Sequence, residues 1–188
     1  MLKLDKNYKF TGPDGTVTLD DLFNGKRQLI VYHFMFGPDS DHPCKGCSFL
    51  VDQFPTHLGV LKERNTNLVI VSRAPYEKIA AFQKRMDWPY TWVSSHGSDF
   101  NYDFNATITE KAAPGAYDYQ SNGPSVGEQS ELSAFYRDDR ATYHSYSCFA
   151  RGMDQLLVSL QLLDQTPLGR QHQPGPPGGM KYHDEFEN

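Results

Sequence analysis

The sequence predicts an α/β fold: a central mixed β-sheet flanked by helices, with an N-terminal β-hairpin and a long irregular insertion before a final ββα unit. Short apolar runs rich in β-branched residues recur along the chain, and segments with helical spacing of apolar residues separate them. The 188 residues, 38% hydrophobic and 13% aromatic, suffice for one domain with a substantial core. We expect this domain over residues 1–170, followed by a Pro/Gly-rich tail over residues 171–188.

The N-terminal region predicts a hairpin followed by a central strand. Tyr8–Phe10 and Val17–Leu19 flank a Gly-Pro-Asp-Gly run at residues 12–15, in which each residue type favours a turn. Leu29–Phe36 is a nearly continuous apolar segment of β-favouring residues, which is typical of a strand that is buried on both faces. The Gly37-Pro38 pair should end this strand.

Helices and strands alternate in the middle of the chain. Apolar residues at positions 50, 54, 58 and 61 would share one helix face, and Pro55 is expected to kink or divide that helix. Leu68–Ser72 predicts a second buried strand, and Pro75 suits the first turn of the helix that follows. Tyr90–Ser94 is the third strand candidate.

An irregular segment precedes the C-terminal elements. Residues 95–130 are rich in Gly, Ser, Asn, Asp and Tyr, and such long excursions are often functional. Leu132–Arg137 and Ala141–Ser147 predict a second hairpin, and apolar spacing over residues 153–163 predicts a last helix. The order hairpin, β-α-β-α-β and β-β-α is that of a thioredoxin-like fold.

Charge and composition exclude several classes of protein. With 18 Lys+Arg against 23 Asp+Glu, the formal net charge is -5, so the chain lacks the basic face that nucleic-acid binding requires. No apolar run reaches the roughly 18 residues of a membrane span, and Met1–Asp5 lacks the pattern of a signal peptide. Three cysteines do not make a disulfide framework. We therefore predict a cytoplasmic protein with neither nucleic-acid nor membrane partners.

Two cysteines carry the strongest chemical signal. Cys44 and Cys47 form a Cys-x-x-Cys motif after the predicted central strand and at the start of a helix, a spacing that brings two sulfurs within reach of a disulfide. Cys44 would meet unpaired backbone N–H groups, which favour the thiolate and can lower a cysteine pKa from ~8.5 to as low as ~3.5–7.5. Cys47, one turn deeper, would be the resolving thiol. We assign both as candidate catalytic residues.

Other residues are candidate supports for this pair. Lys45 adds positive charge between the cysteines, and His42 could stabilise a thiolate or pass a proton. Arg73 follows the second buried strand and should emerge at the same sheet edge, because ligand sites gather at the carboxyl ends of parallel strands. For His42 and Arg73, an ordinary solvated loop position is the alternative. Candidates for one wall of the site are Asp99, Tyr102, Asp103 and Tyr117.

Two other interpretations of the cysteines stay open. One is a metal site, to which His42 would add a ligand, although zinc usually takes four protein ligands and the chain has no second Cys-x-x-Cys. His33, His96 and His144 are the other candidate ligands. The second is a pair of reduced cysteines without chemical function. Cys148 is predicted to be a small buried hydrophobic residue, with a role as a second resolving thiol as the alternative.

Several ordered strings resemble the DUF899 family. They are Tyr32–Pro38, Cys44–Phe49, Val71–Pro75, Trp92–Ser95, Gly97–Phe104, Tyr143–Ser147, Ala150–Gly152, Thr166–Arg170 and His183–Phe186. The likeness extends over nearly the whole chain. DUF899 proteins look thioredoxin-like and are described as predicted dithiol-disulfide oxidoreductases. The resemblance therefore implies this fold and a redox site, with roles for Cys44 and Cys47 by analogy with thioredoxins, but it implies no substrate.

Differences from related patterns affect this expectation. Relatives often have Thr where this chain has Cys148, so a third thiol would not be a family trait. Thioredoxins place a cis-proline before the final hairpin, but Gly127–Glu131 contains no proline, which strengthens the metal alternative. The N-terminal region also resembles peroxiredoxins, but Gly37 and Asp41 stand where their Pro-x-x-x-Thr/Ser-x-x-Cys pattern requires Pro and Thr or Ser.

From these observations we predict a thiol-disulfide oxidoreductase that needs no organic cofactor. Its partners would be a disulfide-containing protein or a small thiol, together with an external reductant. The alternative is a zinc-binding or partner-binding module on the same scaffold, without catalysis. The substrate and the oligomeric state, including a homo-oligomer, stay open.

Overall fold

The computed structural model describes residues 1–110, 126–171 and 180–186. Its strands are β1 (Leu2–Lys3), β2 (Lys9–Gly12), β3 (Gly15–Thr18), β4 (Gln28–His33), β5 (Thr66–Ser72), β6 (Thr91–Ser94), β7 (Thr107–Ile108), β8 (Gly127–Glu128), β9 (Glu131–Arg137) and β10 (Thr142–Phe149). Its α-helices are α1 (Leu19–Leu22), α2 (Lys45–Val51), α3 (Gly59–Glu63), α4 (Tyr76–Arg85), α5 (Phe100–Asp103) and α6 (Val158–Leu163). The described residues also include 3₁₀ segments at Ala150–Leu156 and His183–Glu185.

The main sheet confirms the predicted mixed topology. Within the described ranges, its strand order is β1-β10-β9-β4-β5-β6-β2-β3. Strands β4, β5 and β6 are parallel, whereas β9 is antiparallel to β4 and β2 is antiparallel to β6. The carboxyl ends of the three parallel strands therefore meet at one edge of the sheet, and the segment with Cys44 leaves β4 at that edge. This is the thioredoxin-like arrangement that the sequence predicted.

The two faces of the sheet have separate cores. Successive residues of a strand point to opposite faces. Tyr32 and Phe34 thus join the core that also contains Cys47, whereas Val31 packs in the other core, with Phe100 and Phe135. Strand β5 is buried along its whole length, as a strand covered on both faces should be. The central strand thereby separates the cysteine motif from a second, independent interior.

Several elements differ from the predicted ones. The first predicted helix is divided at Pro55 into α2 and α3, which is one of the two outcomes that the sequence predicted, but other elements do differ. The last predicted helix begins as the 3₁₀ segment Ala150–Leu156, and α6 that follows contains no fully buried residue. The expected irregular insertion contains α5, β7 and β8, and Tyr117 lies outside the described residues.

Short terminal pieces complete the molecule. Strand β1 pairs with β10, a pairing that the sequence pattern did not indicate. Most of the Pro/Gly-rich part of the tail falls outside the described ranges, but residues 180–186 are described and Tyr182 is only 4% exposed. None of the described helices is both long enough and apolar enough to cross a membrane.

Candidate functional site

Cys44 is the residue that caps helix α2 at its N-terminus. Its backbone N–H donates to the Met35 carbonyl (3.2 Å), which ties the residue to the end of the central strand. Its own carbonyl accepts the first helical hydrogen bond, from the Ser48 N–H at 3.0 Å. Its extended backbone (φ -65°, ψ 121°) aims the sulfur back over the first turn, where the Sγ accepts a hydrogen bond from the Cys47 N–H at 3.3 Å. A sulfur therefore occupies the position at which Ser or Asp commonly caps a helix.

This capping position makes Cys44 acidic. The hydrogen bond from the Cys47 thiol, aided by backbone N–H groups of Cys47 and Gly46, lowers the pKa of Cys44 to about 6, although burial acts in the opposite direction. For Cys47 the balance is reversed. Its side chain is buried, and this burial raises its pKa well above the ordinary value, with the charge of Cys44 adding to the effect. At neutral pH the pair thus consists of a partly exposed thiolate and a buried thiol, and both cysteines are free.

Tyr32 is a site residue that the sequence analysis missed. Its buried hydroxyl interacts with the Cys47 thiol, an interaction that lowers the Cys47 pKa, and it lies 2.8 Å from the Ser130 Oγ. The interaction with Tyr32 opposes the rise in the Cys47 pKa, since a phenol hydroxyl stabilises a neighbouring thiolate. One signal was available, because a tyrosine inside an apolar strand needs a partner for its hydroxyl. The identity of that partner depends on the packing of β4 against α2 and on the chain that enters β9.

The contacts of the Lys45 side chain are with residues near the C-terminus. Its ammonium lies 2.7 Å from Glu185 and 4.9 Å from the centre of the Tyr182 ring. The Tyr182 hydroxyl in turn donates to the carbonyl of Pro43, at 2.6 Å. The C-terminal residues therefore pack directly beside the cysteine motif, and neither Tyr182 nor Glu185 was singled out from the sequence.

Arg73 is held by a neighbouring carboxylate. Its guanidinium lies 2.7 Å from Glu128, whose other oxygen accepts a hydrogen bond from Thr107 at 2.8 Å. The same guanidinium stacks over the Tyr102 ring at 4.6 Å. The structure thus joins two of the predicted residues, Arg73 and Tyr102, in one cluster at the carboxyl edge of the sheet.

The other predicted residues occupy separate positions. His42 is exposed in the loop before the motif, where its carbonyl accepts a hydrogen bond from Ser40. Asp99 and Asp103 both form ion pairs with Lys6. Cys148 is buried, and burial raises its pKa, as expected for a thiol that serves as a core residue.

The candidate metal ligands are dispersed. His33 is buried on the face opposite the cysteines and hydrogen-bonds Ser133, whereas His144 contacts Ser147 and the carbonyl of Tyr146. His96 follows β6 and is exposed. Throughout the described part of the chain, no group of three or more His, Cys, Asp or Glu side chains is arranged to hold a metal ion.

Solved structures share this architecture. A PrxQ mutant from Xylella fastidiosa has a TM-score of 0.52 at 16% identity, over 85% of this chain and 93% of that one. Peroxidoxin BcpB from Mycobacterium tuberculosis has a TM-score of 0.50 at 14% identity, over 87% of this chain and 99% of that one. At these identities the likeness establishes the thioredoxin-like fold alone.

Sequence comparison identifies the family. A search of curated proteins found no match. The family model described as "Bacterial protein of unknown function (DUF899)" matches residues 1–186. That range contains the cysteine motif, the Arg73 cluster and the C-terminal residues that pack beside Lys45. The chain therefore belongs to the DUF899 family.

Proposed function

We propose that the protein is a thiol-disulfide oxidoreductase that uses Cys44 as the nucleophile and Cys47 as the resolving thiol. The observation that carries the proposal is the contrast between the two sulfurs. Cys44 caps the helix as a partly exposed group with a pKa of about 6, while Cys47, directly behind it, has a raised pKa. Attack on a disulfide requires a thiolate, and completion of the exchange requires a second thiol within reach.

In the first step, the Cys44 thiolate attacks one sulfur of a substrate disulfide. A bond forms between Cys44 and that sulfur, the substrate S–S bond breaks, and the other substrate sulfur leaves as a thiolate. Because Cys44 is largely ionised at neutral pH, no base has to remove a proton before the attack. The partial exposure of Cys44 provides access to the attacked disulfide.

In the second step, the chemistry of Cys47 changes. Once Cys44 is in a mixed disulfide it carries no charge, so one of the causes that raise the Cys47 pKa disappears. The interaction with the Tyr32 hydroxyl, which lowers the Cys47 pKa, then stabilises the developing Cys47 thiolate. Cys47 loses its proton to a departing substrate thiolate and attacks Cys44, which forms the internal disulfide and releases the second substrate thiol. An external dithiol reductant returns the protein to its reduced form.

The stoichiometry of a single turnover tests this mechanism. Reduced protein would be mixed with excess of a chromogenic aromatic disulfide at pH 7, under conditions in which the buried Cys148 does not react. We expect the wild type to release two equivalents of aromatic thiol and Cys47→Ser to release one and retain a mixed disulfide. Cys44→Ser should release none in the fast phase. Cys148→Ser is the matched control and should behave as the wild type.

Other outcomes would reject the proposal. Two fast equivalents from Cys44→Ser would remove the assigned nucleophile. Stoichiometric zinc in the purified wild type that is lost in Cys44→Ser would favour the metal-binding module. Because the solved structures that resemble this fold include a PrxQ and a peroxidoxin, the same reduced protein would also be titrated with hydrogen peroxide. Rapid peroxide consumption without disulfide reduction would replace the proposed substrate class.

A further inference from the structure

The C-terminal segment Tyr182–Glu185 lies on the residues that immediately precede and follow Cys44. The Tyr182 ring is nearly buried and packs 5.2 Å from the Phe82 ring, between centroids. Its hydroxyl donates to the carbonyl of Pro43 at 2.6 Å. The peptide group that contains this carbonyl is the one that leads into Cys44, so the bond acts on the backbone that orients the capping sulfur.

Charged contacts hold this segment in place. Asp184 accepts two hydrogen bonds from the Arg85 guanidinium, at 2.7 and 2.9 Å, and that guanidinium also stacks on the Tyr182 ring at 4.8 Å. Glu185 binds Lys45 at 2.7 Å and accepts a hydrogen bond from the Tyr182 N–H at 3.2 Å. His183 contacts Asp52, just after helix α2, at 2.7 Å. The segment therefore contacts both ends of α2 and the neighbouring helix α4.

We propose that Tyr182 is a positioning residue for Cys44, and that the segment Tyr182–Glu185 holds the Pro43–Cys44 backbone in the conformation in which the Cys44 sulfur caps helix α2. The capping bond depends on a single backbone turn, because the N–H of Cys47 reaches the Sγ only while Cys44 is extended and α2 begins at Lys45. Pro43 has no backbone N–H to donate, so the hydrogen bond that its carbonyl accepts from Tyr182 is the one that can fix this peptide group.

The groups that face Cys44 come from three elements. Cys47 belongs to α2, Tyr32 to β4 and Tyr182 to the C-terminal segment, and each interacts electrostatically with the Cys44 sulfur. Lys45, the adjacent cation, is occupied by Glu185. Removal of the Tyr182 hydroxyl deletes its bond to Pro43 and none of the contacts that these other groups make, so a change in Cys44 ionisation then reports the position of the capping sulfur.

The inference deepens the proposed function and rests on it for its catalytic consequence. The test of the inference is independent of the proposed function, because alkylation measures the ionisation of Cys44 without any disulfide substrate. A loss of disulfide reduction in the wild type would reject the function, whereas an unchanged Cys44 titration in the Tyr182 variant would reject the positioning role. The two failures are therefore distinguishable.

The main experiment compares Tyr182→Phe with the wild type. The rate of Cys44 alkylation by iodoacetamide is followed from pH 4.5 to pH 9, and the alkylated cysteine is identified by mass spectrometry. We expect the midpoint of the profile to rise by about half to one pH unit, because a weaker capping bond stabilises the thiolate less. Tyr136→Phe is the matched control, since it removes a tyrosine hydroxyl that accepts a hydrogen bond from Arg27 on another part of the surface.

A second variant keeps the test valid if Tyr182→Phe does not fold. Arg85→Gln removes the bidentate bond to Asp184 from the surface of α4, and its control is Lys84→Gln, which deletes the neighbouring exposed charge. We expect a smaller upward shift of the same midpoint in Arg85→Gln and none in Lys84→Gln. A midpoint that stays at the wild-type value, or falls, in the folded Tyr182→Phe and Arg85→Gln proteins overturns the proposal.

Discussion

Each face of the central sheet contains a titratable group with a shifted pKa, and the two shifts have opposite directions. On one face, hydrogen bonding to the Cys47 thiol and to backbone N–H groups lowers the pKa of Cys44 to about 6. On the other face, burial raises the pKa of Glu131 to about 7, although the hydroxyls of Ser133 and Ser147 donate to it. Both groups titrate near neutral pH, for opposite reasons.

The difference shows which effect prevails at each site. Glu131 is fully buried, and its two neutral hydroxyl donors do not replace the water that its charged form loses. Cys44 keeps contact with solvent and receives donors that point at its sulfur because the helix begins there. Partial exposure and oriented N–H groups therefore favour an anion, whereas full burial beside two hydroxyls keeps the carboxyl protonated up to about pH 7.

The buried network around Glu131 is consistent with a neutral carboxyl. Because Ser133 donates to the Glu131 Oε1, its oxygen is free to accept from the His33 Nε2, at 3.1 Å. His33 Nδ1 and Glu131 Oε2 have no hydrogen-bond partner among the described residues. Burial, and secondarily the charge of His144, lowers the pKa of His33 to about 3. Below about pH 7, a proton on Oε2 and a bare Nδ1 avoid two buried charges.

The largest expected effect concerns His33. Its pKa is lowered on folding, so the unfolded state binds more protons, and stability is lost as the pH falls from about 6.5 towards 3. The shift corresponds to about 5 kcal/mol over this whole window. His33→Phe removes this loss, so the variant should unfold at a markedly lower pH than the wild type in an acid titration followed by circular dichroism. Identical acid midpoints would contradict a neutral, buried His33.

The second effect is a change of about 3 kcal/mol in the free energy of unfolding, and it comes from Glu131. Its pKa is raised on folding, so its stabilising contribution is complete below about pH 4.5 and is lost as the pH rises through about 7. Between pH 4.5 and 6.5, the Glu131 contribution to stability falls as the pH rises, while the His33 contribution increases. The free energy of unfolding of the wild type should therefore be nearly constant over this range.

Glu131→Gln removes one of the two opposing slopes. Urea unfolding should show that this variant loses about 3 kcal/mol between pH 7 and pH 4.5, whereas His33→Phe gains a similar amount. If the wild type and Glu131→Gln instead showed the same dependence of stability on pH, the Glu131 carboxyl would be ionised in the folded protein over this range.

The smallest expected effect is a difference in alkylation rate among the three cysteines, which tests the thiolate character of Cys44. At pH 7, Cys44 should be alkylated about 10-fold faster than Cys47 or Cys148, because the pKa of Cys44 is lowered while burial raises the pKa of the other two thiols, and the lower basicity of Cys44 offsets only part of its larger thiolate fraction. Peptide mapping after brief labelling measures the ratio. Equal labelling of Cys44 and Cys148 would show that the capping bonds do not stabilise the thiolate.

The sequence predicted the sheet because its signals are local. Leu29–Phe36 and Leu68–Ser72 are apolar runs that only a strand covered on both faces accommodates, and Pro55 marked the division between α2 and α3. Strand β1 was missed because a pairing of two residues has no pattern of its own. The 3₁₀ start of the last helical region was missed because apolar spacing does not separate 3₁₀ from α-helical geometry over so few residues.

The candidate site divides in the same way. Cys44 and Cys47 are three residues apart, so helix geometry alone brings the Cys47 N–H to the Cys44 sulfur, and the sequence by itself determined that pair. The bond from Tyr182 to Pro43 joins residues 139 positions apart, and the pairing of His33 with Glu131 depends on the register of β4 and β9. Only the tertiary structure decided these contacts, because they follow from how distant segments pack rather than from the periodicity of one segment.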